Sequence, residues 1–278
     1  MSANDIAAVV VSYQSASTIE ECLTRLLDAD GVTEVRVVDN GSCDDTMAIV
    51  QRRALTDERL RFVANLDNPG FAVACNQGAA ESSAPWLAFV NPDLLVEQDT
   101  LVRLRDAAAG LGGALVGAQL HDEAGNADAA ARRHDPDFVA MLQSRAARNL
   151  AIARDEARQV QPVPAISGAL MLLPRDLFEK IGGFDVGYRL HAEDLDFCRR
   201  VRAAGAQVAC VNTVDVLHWR GVSSRSNPLF VEWHKHRGLW RYFRKFDAAK
   251  HALPVRMLVG VMIAVRLLLA LLGRVSKP

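Results

Sequence analysis

The sequence predicts an α/β protein with a mostly parallel central sheet flanked by helices, followed by a basic and apolar helical extension at the C-terminal end. Three observations predict it. Short β-branched apolar runs alternate with helical spacings through the first hundred residues, the signature of βαβ units. A polar cluster closes each run, at Ser12-Tyr13, Asp39-Asn40, Asn65 to Gly70 and Asn91-Pro92-Asp93, and ligands of such sheets bind at those strand ends. Charge is segregated as well: from His218 onward twelve Lys and Arg meet only Glu232 and Asp247, so a chain of net charge −1 has an acidic body of −11 and a basic end.

The elements follow in order. Ile6 to Ser12 predicts a buried strand, and Ser17 to Leu27 a helix with Ile19, Cys22, Leu23, Leu26 and Leu27 on one face. Strands are expected at Glu34 to Val38, Arg61 to Ala64 and Leu87 to Val90, with helices at Thr46 to Ala54 and Phe71 to Glu81 between them. Residues 110–165 are rich in Ala and Arg with little strand character; a helix from Phe138 to Ala157 and a partly disordered remainder are expected there. Ile166 to Leu173 predicts a strand, Asp176 to Ile181 and Phe197 to Ala204 helices, and Gln207 to Val211 a strand. The five cysteines are scattered, odd in number and lack C-x-x-C spacing, which argues against a disulfide framework or zinc site and fits a reducing cytosol. The opening MSANDIAAVVVSY lacks the basic region of a signal peptide.

Chemistry concentrates in Gly182 to Arg200, where Glu193, Asp194 and Asp196 crowd beside His191. Crowded carboxylates raise one another's pKa, which is how a general base is tuned; acidic residues at a helix start equally suit the helix dipole. Asp39 at a strand end suits a ribose hydroxyl or the N3–H of a uracil or thymine, or an Asx-turn. Asn68-Pro69-Gly70-Phe71 places backbone N–H groups at a helix start, suited to a diphosphate or simply to a tight turn. Asp93 offers a hard oxygen ligand to a cation bridging a nucleotide diphosphate. His218, after the apolar run VDVL, suits the same cation or a phosphate, with Arg220 or Arg225 to neutralise a leaving diphosphate.

The runs VVVSYQ, VRVVDNGSCDDT, NPGFAVACNQG, FVNPD, SGALMLLPRDLFEKIGGFD, HAEDLDFCRR and HWRGVSS resemble, as an ordered set, glycosyltransferase family 2 with its GT-A fold, and within it the bacterial rhamnosyltransferase-like group. They span about Val9 to Ser224, leaving 110–165 unmatched. The resemblance implies an inverting transferase using a nucleotide-sugar donor, dTDP-L-rhamnose, with Mg²⁺ or Mn²⁺, and a saccharide or lipid-linked acceptor in surface-polysaccharide synthesis. It implies Asp194 as base with Glu193 beside it, and Ser12, Tyr13, Asp39, Asn68, Gly70, Asn76 and Asn91 around the nucleotide. Asp93 stands last in the family's D-x-D, whose first place is Asn91 here, so one carboxylate is left for the cation; His218 would join it or, with Arg220, hold the leaving group. Residues 1–226 would form the transferase domain, with a nucleotide half to about 108 and an acceptor half from about 160, and 227–278 the extension. A UDP-hexose or UDP-galactofuranose donor, or a non-catalytic scaffold, are the alternatives.

The extension interleaves aromatic and basic residues from Asn227 to Phe246 and is apolar from Ala252 to Gly273, save Arg256 and Arg266. At about 100° per residue, Arg256, Arg266, Arg274 and Lys277 share one face. That predicts a helix lying on an anionic membrane with its cations among the headgroups, rather than a nucleic-acid contact, and places the protein peripherally on the cytoplasmic face of an inner membrane; a core-packing or oligomer-forming terminal helix is the alternative.

Overall fold

The computed structural model describes residues 2–219 and 228–275. Strands β1 (Ile6–Ser12), β2 (Val32–Asp39), β3 (Leu60–Ala64) and β4 (Trp86–Val90) pair in parallel in the order β3-β2-β1-β4. Helices α1 (Ile19–Asp28), α2 (Thr46–Ala54) and α3 (Phe71–Ala80) make the crossovers. Alternation along β1 sorts the layers. Ile6, Ala8 and Val10 join a core with Leu23 and Leu26 of α1 and Val50 of α2, whereas Ala7 and Val9 join a second core with Ala72 and Cys75 of α3.

Beyond β4 come β5 (Leu94–Leu95), α4 (Thr100–Gly110), β6 (Leu115–His121), α5 (Phe138–Gln143), β7 (Val160–Pro162), β8 (Leu170–Pro174), α6 (Arg175–Lys180), α7 (Glu193–Ala203) and β9 (Val208–His218). The sheet continues β4-β8-β6-β9-β5, with β7 also on β9; β8 is antiparallel to both neighbours, and β6 and β9 are parallel. This GT-A arrangement matches the expected fold class.

Residues 110–165 depart from expectation. β6 lies inside the sheet, between β8 and β9, although LVGAQLH has a single β-branched residue. Burial makes it a strand, since β-propensity is mostly fitness for a half-buried pleated surface. The helix begin is as expected, with Asp137 accepting from the Ala140 N–H, but it ends at Gln143. The chain then returns to bond with its own earlier part, His134 N–H to Leu150 O at 2.8 Å and Ile152 N–H to Arg132 O at 2.9 Å, and these pairings replace the expected helical ones. The segment is therefore ordered. α7 starts at Glu193, four residues earlier than expected, so the acidic run is its first turn. β9 continues from the expected strand straight to His218.

α8 (Pro228–Phe246) and α9 (Leu253–Val275) form an antiparallel hairpin: His251 stacks near Phe243, Gly260 lies against Trp240, and Arg266 faces Glu232. The expected direction of the α9 cations is corrected. Arg266 lies half-buried near Glu232 and Arg148, on the body side with buried Val259 and Ile263, while Arg256 turns back to donate to His251 O in the turn before its helix. The outward arc is apolar, including Met257, Val261, Val265, Leu268 and Leu272. Helical periodicity identified the charged face but not which way it turns. Arg274 and Lys277 contribute no described side chain.

α7 ties this hairpin to the body. Asp196, completely buried, accepts from Arg200 Nε and from Lys245 Nζ of α8, both at 2.6 Å, and Arg199 holds Asp247 at 2.9 Å. Removing one partner of a buried ion pair leaves the others uncompensated. Asp196→Ala should therefore lower stability by about 3 kcal/mol, measured by urea unfolding, whereas Arg244→Ala on the exposed side of α8 should change it by less than about 0.5 kcal/mol.

Candidate active site

The carboxyl ends of β1, β2, β4 and β9 open into a cavity of about 1090 Å³. Ser12, Tyr13, Asn68, Asn91, Asp93, Glu193, Asp194 and His218 line it, so eight of the sequence-predicted residues meet there. Asp39, Gly70 and Asn76 stand behind its wall. Arg220, with Arg225, lies outside the described residues.

Each of these three has a traceable task. Asp39 is buried and accepts at Oδ1 from Ser12 Oγ (2.9 Å) and Ser42 Oγ (2.6 Å), and at Oδ2 from the Ser42 N–H (2.8 Å). The turn reading of Asp39 thus describes its two bonds with Ser42, the third coming from Ser12 across the sheet, while Asn40 beside it lines the cavity. Asn76 clamps the Phe184 backbone, donating to its carbonyl at 2.9 Å and accepting from its N–H at 2.8 Å, so its side chain serves the turn before α7. Gly70 has φ +102°, and a Cβ there would sit 2.4 Å from Arg189 O; only glycine lets this turn seat against the Arg189 backbone, where Phe71 N–H bonds at 3.2 Å.

At one end of the cavity three strand ends converge. Leu94 of β5 pairs with His218, and Trp219 N–H donates to Asp93 O, which brings His218 beside Asp93. His218 Nε2 lies 3.4 Å from Asp93 Oδ1 and Nδ1 3.4 Å from Asp128 Oδ2. Burial opposes the imidazolium, but Asp128 and Asp93 outweigh it and push His218 up to about 9. Among the described residues no three acidic, His or Cys side chains form a ready coordination shell. The Asp93 carboxylate nevertheless fits a divalent cation completed by a diphosphate: its buried Oδ1 has no hydrogen-bond partner beyond the 3.4 Å contact with His218, and carboxylate oxygen suits Mn²⁺ or Mg²⁺, whereas His218 would join such a cation only on losing its proton. Asp128 was not foreseen, because it sits in the segment that carried no motif.

At the α7 end, Asp194 Oδ2 accepts from Arg133 and, at 3.2 Å, from the Gly168 N–H, while Oδ1 accepts from the Leu195 N–H at 2.8 Å. A Cβ at 168 would lie 3.2 Å from the Asp194 Cβ, so the glycine permits this approach. Burial alone would raise the Asp194 carboxyl; Arg133 reverses that and holds it below the usual range. Glu193 experiences the opposite: burial, with Asp194 next to it, pushes its carboxyl up to about 8, and its Oε2 has no partner. At neutral pH the pair therefore carries one charge, on Asp194. Asp196, which the sequence sets among the crowded carboxylates, is instead turned to Arg200 and Lys245 and does not line the cavity.

Arg133 was also unforeseen. Its backbone bonds twice with Ala165, at 2.9 and 3.0 Å, which fixes the guanidinium against both Asp194 and Ile166 O. In the sequence it is one of two adjacent arginines after an alanine run, and that is no signal.

A family model described as "Glycosyl transferase family 2" matches residues 7–182. The N-acetylglucosaminyl-diphospho-decaprenol L-rhamnosyltransferase of Mycobacterium tuberculosis is 29% identical over 268 residues, covering 84% of this chain and 85% of its own. Glycosyltransferase AglE of Haloferax volcanii is 29% identical over 213 residues, 72% of this chain and 68% of its own. Among solved structures, the mannosyltransferase PcManGT from Pyrobaculum calidifontis, in complex with GDP-Man and Mn²⁺, superposes with a TM-score of 0.63 at 20% identity, covering 98% of this chain and 75% of that one. That likeness is one of fold.

The sign of the Arg133 effect is testable. Around Asp194 stand Arg133, Glu193, His191 and the Cys198 thiol; burial holds His191 below its ordinary value, and burial pushes Cys198 up to about 12. Were Asp194 to serve as a base it would work ionised, and activity would be lost as pH falls through its pKa. Without the neighbouring cation that loss should begin about one pH unit higher. Arg133→Gln should shift the acid limb of the pH–rate profile upward by that amount, and Arg133→Lys should restore part of it.

Proposed function

The chain belongs to glycosyl transferase family 2, and from that premise we propose that it transfers L-rhamnose from dTDP-L-rhamnose, with inversion, to a hydroxyl of a lipid-linked saccharide. The observation that carries this reading is the cavity itself. It places an ionised, fixed carboxylate, Asp194, in one space with an acidic–imidazole cluster at three strand ends. Its volume of about 1090 Å³ exceeds what one small ligand needs, since pockets of about 300–1,000 Å³ hold drug-sized molecules. The rhamnosyl donor and the diphosphate-linked acceptor are taken from the printed name of the Mycobacterium relative.

In this reading Ser12, Tyr13, Asn40, Asn68 and Asn91 surround the nucleotide, with Asp39 and Gly70 shaping the turns that present them. Asp194 accepts the proton of the acceptor hydroxyl as that oxygen bonds to the anomeric carbon; the bond from that carbon to the diphosphate breaks, and the nucleoside diphosphate leaves. A positioned base contributes about 10²- to 10⁴-fold. Glu193, protonated, donates a hydrogen bond toward the acceptor without adding a second charge. Asp93 and His218 would hold a divalent cation, whose chemistry is to neutralise the departing diphosphate. Arg220 is assigned to the same leaving group.

The domain division proposed is a transferase body to about residue 226 and a membrane-attaching hairpin beyond it. α9 is long and apolar enough to cross a membrane, but Val259 and Ile263 pack on the body, and we assign its outward arc to the acyl boundary at the cytoplasmic face.

Three measurements test this. Nucleoside diphosphate release should be selective for dTDP-rhamnose over UDP-glucose and UDP-galactose, require Mn²⁺ or Mg²⁺, and stop in EDTA; selectivity for a UDP-sugar would replace the donor. Asp194→Asn should lower turnover at least about 100-fold while donor protection against thermal unfolding persists; unchanged turnover would remove Asp194 as the base. The protein should float with vesicles containing anionic lipid, and Val261→Glu with Leu268→Glu should abolish flotation.

A further inference from the structure

A second cavity, of about 240 Å³, lies beside the first, with Arg189 lining both. Arg189, His234 and Arg237 bring cationic or N–H-bearing side chains to it, and among the described residues no carboxylate lines it. Its charges differ from others on the same helix. One turn on, Arg241 is neutralised by Asp185 at 2.8 Å, whereas Arg237 has no ion-pair partner among the described residues. His234 is buried, with its ring 4.2 Å from that of Phe230, and Arg189 extends over the same Phe230 ring while donating to Asn68 O at 2.8 Å. Burial, then Arg189 and Arg237, hold His234 below its ordinary value, so the ring sits neutral among cations. Such an arrangement is electrostatically incomplete, and an anion would complete it.

The position selects which anion. The nucleotide end of the main cavity is set at β1 and β2, and the cation cluster at β5 and β9. The second cavity lies instead on α8, whose Phe230, Val231 and Lys235 also line the main cavity and whose partner α9 turns its apolar arc outward. Since α9 runs back along α8, its later turns, around Arg266, lie beside Glu232, close to His234.

We propose that Arg189, His234 and Arg237 bind a phosphate group of the lipid-linked acceptor, whose attached sugar extends past Arg189 into the main cavity toward Asp194. This rests on the acceptor reading above. The phosphate of such an acceptor lies at headgroup depth, where the α8–α9 hairpin meets the membrane, and the site fixes the reacting sugar by its anchor.

The test needs no turnover. Binding of farnesyl diphosphate is measured by calorimetry in EDTA, so that no cation at Asp93 contributes, with farnesol, dTDP and dihexanoylphosphatidylglycerol as comparison ligands. Farnesyl diphosphate should bind and farnesol should not. Arg237→Gln and His234→Gln should each weaken farnesyl diphosphate about tenfold or more, the scale of one charge-assisted hydrogen bond, leaving dTDP binding in Mn²⁺ unchanged. The proposal is overturned if the variants leave farnesyl diphosphate binding intact, if dTDP displaces it, which would place it in the donor site, or if dihexanoylphosphatidylglycerol binds as tightly with the same losses, which would make the site a headgroup contact. Failure of the transferase reading would appear separately, as no turnover of any nucleotide sugar.

Discussion

A carboxylate buried at the start of α7 has to be compensated, and the Arg133–Asp194 pair is how this protein does it. The pair joins the loop after β6 to α7 across the mouth of the sheet. Desolvation would otherwise protonate Asp194, as it does Glu193 one residue away. Two adjacent carboxyls of the same helical turn thus hold opposite protonation states, and the difference is set by one guanidinium. Gly168 makes the approach possible by having no side chain, and its N–H adds a second donor.

α7 is the element on which the rest converges. Its first turn faces the cavity through Glu193 and Asp194, while Asp196 and Arg199 face away and fasten the α8–α9 hairpin through Lys245 and Asp247. Phe197, stacked on Phe184 at 4.2 Å, seats the helix on the second core. The hairpin that presents an apolar arc to the outside is consequently anchored to the same helix that carries the proposed base. In the proposed reading, membrane attachment and the chemistry would share one support, and an acceptor held at the surface would meet Asp194 in a constant geometry.

Much of this was legible. β1 to β4 and their helices followed from apolar periodicity, because in a parallel sheet the buried runs are contiguous and the crossovers amphipathic. Ser12, Tyr13, Asn68, Asn91, Asp93 and His218 line the cavity because strand-end loops of such sheets must fall on one side. Less legible were positions whose partners lie far along the chain. Asn76 carries a polar side chain in the right motif, yet spends it on Phe184, 108 residues away. Asp196 reads like its acidic neighbours but is matched by Lys245, 49 residues later.

The sequence by itself determined the βαβ order, the polar strand ends, the Glu193-Asp194 pair and an amphipathic C-terminal helix, all of which are written in spacings of a few residues. Tertiary structure alone decided that β6 enters the sheet between β8 and β9, that Asp128 and Arg133 face His218 and Asp194, and that α9 turns Arg266 inward. Those outcomes depend on which surfaces remain for burial once the sheet is assembled, and no local pattern of side chains specifies that choice.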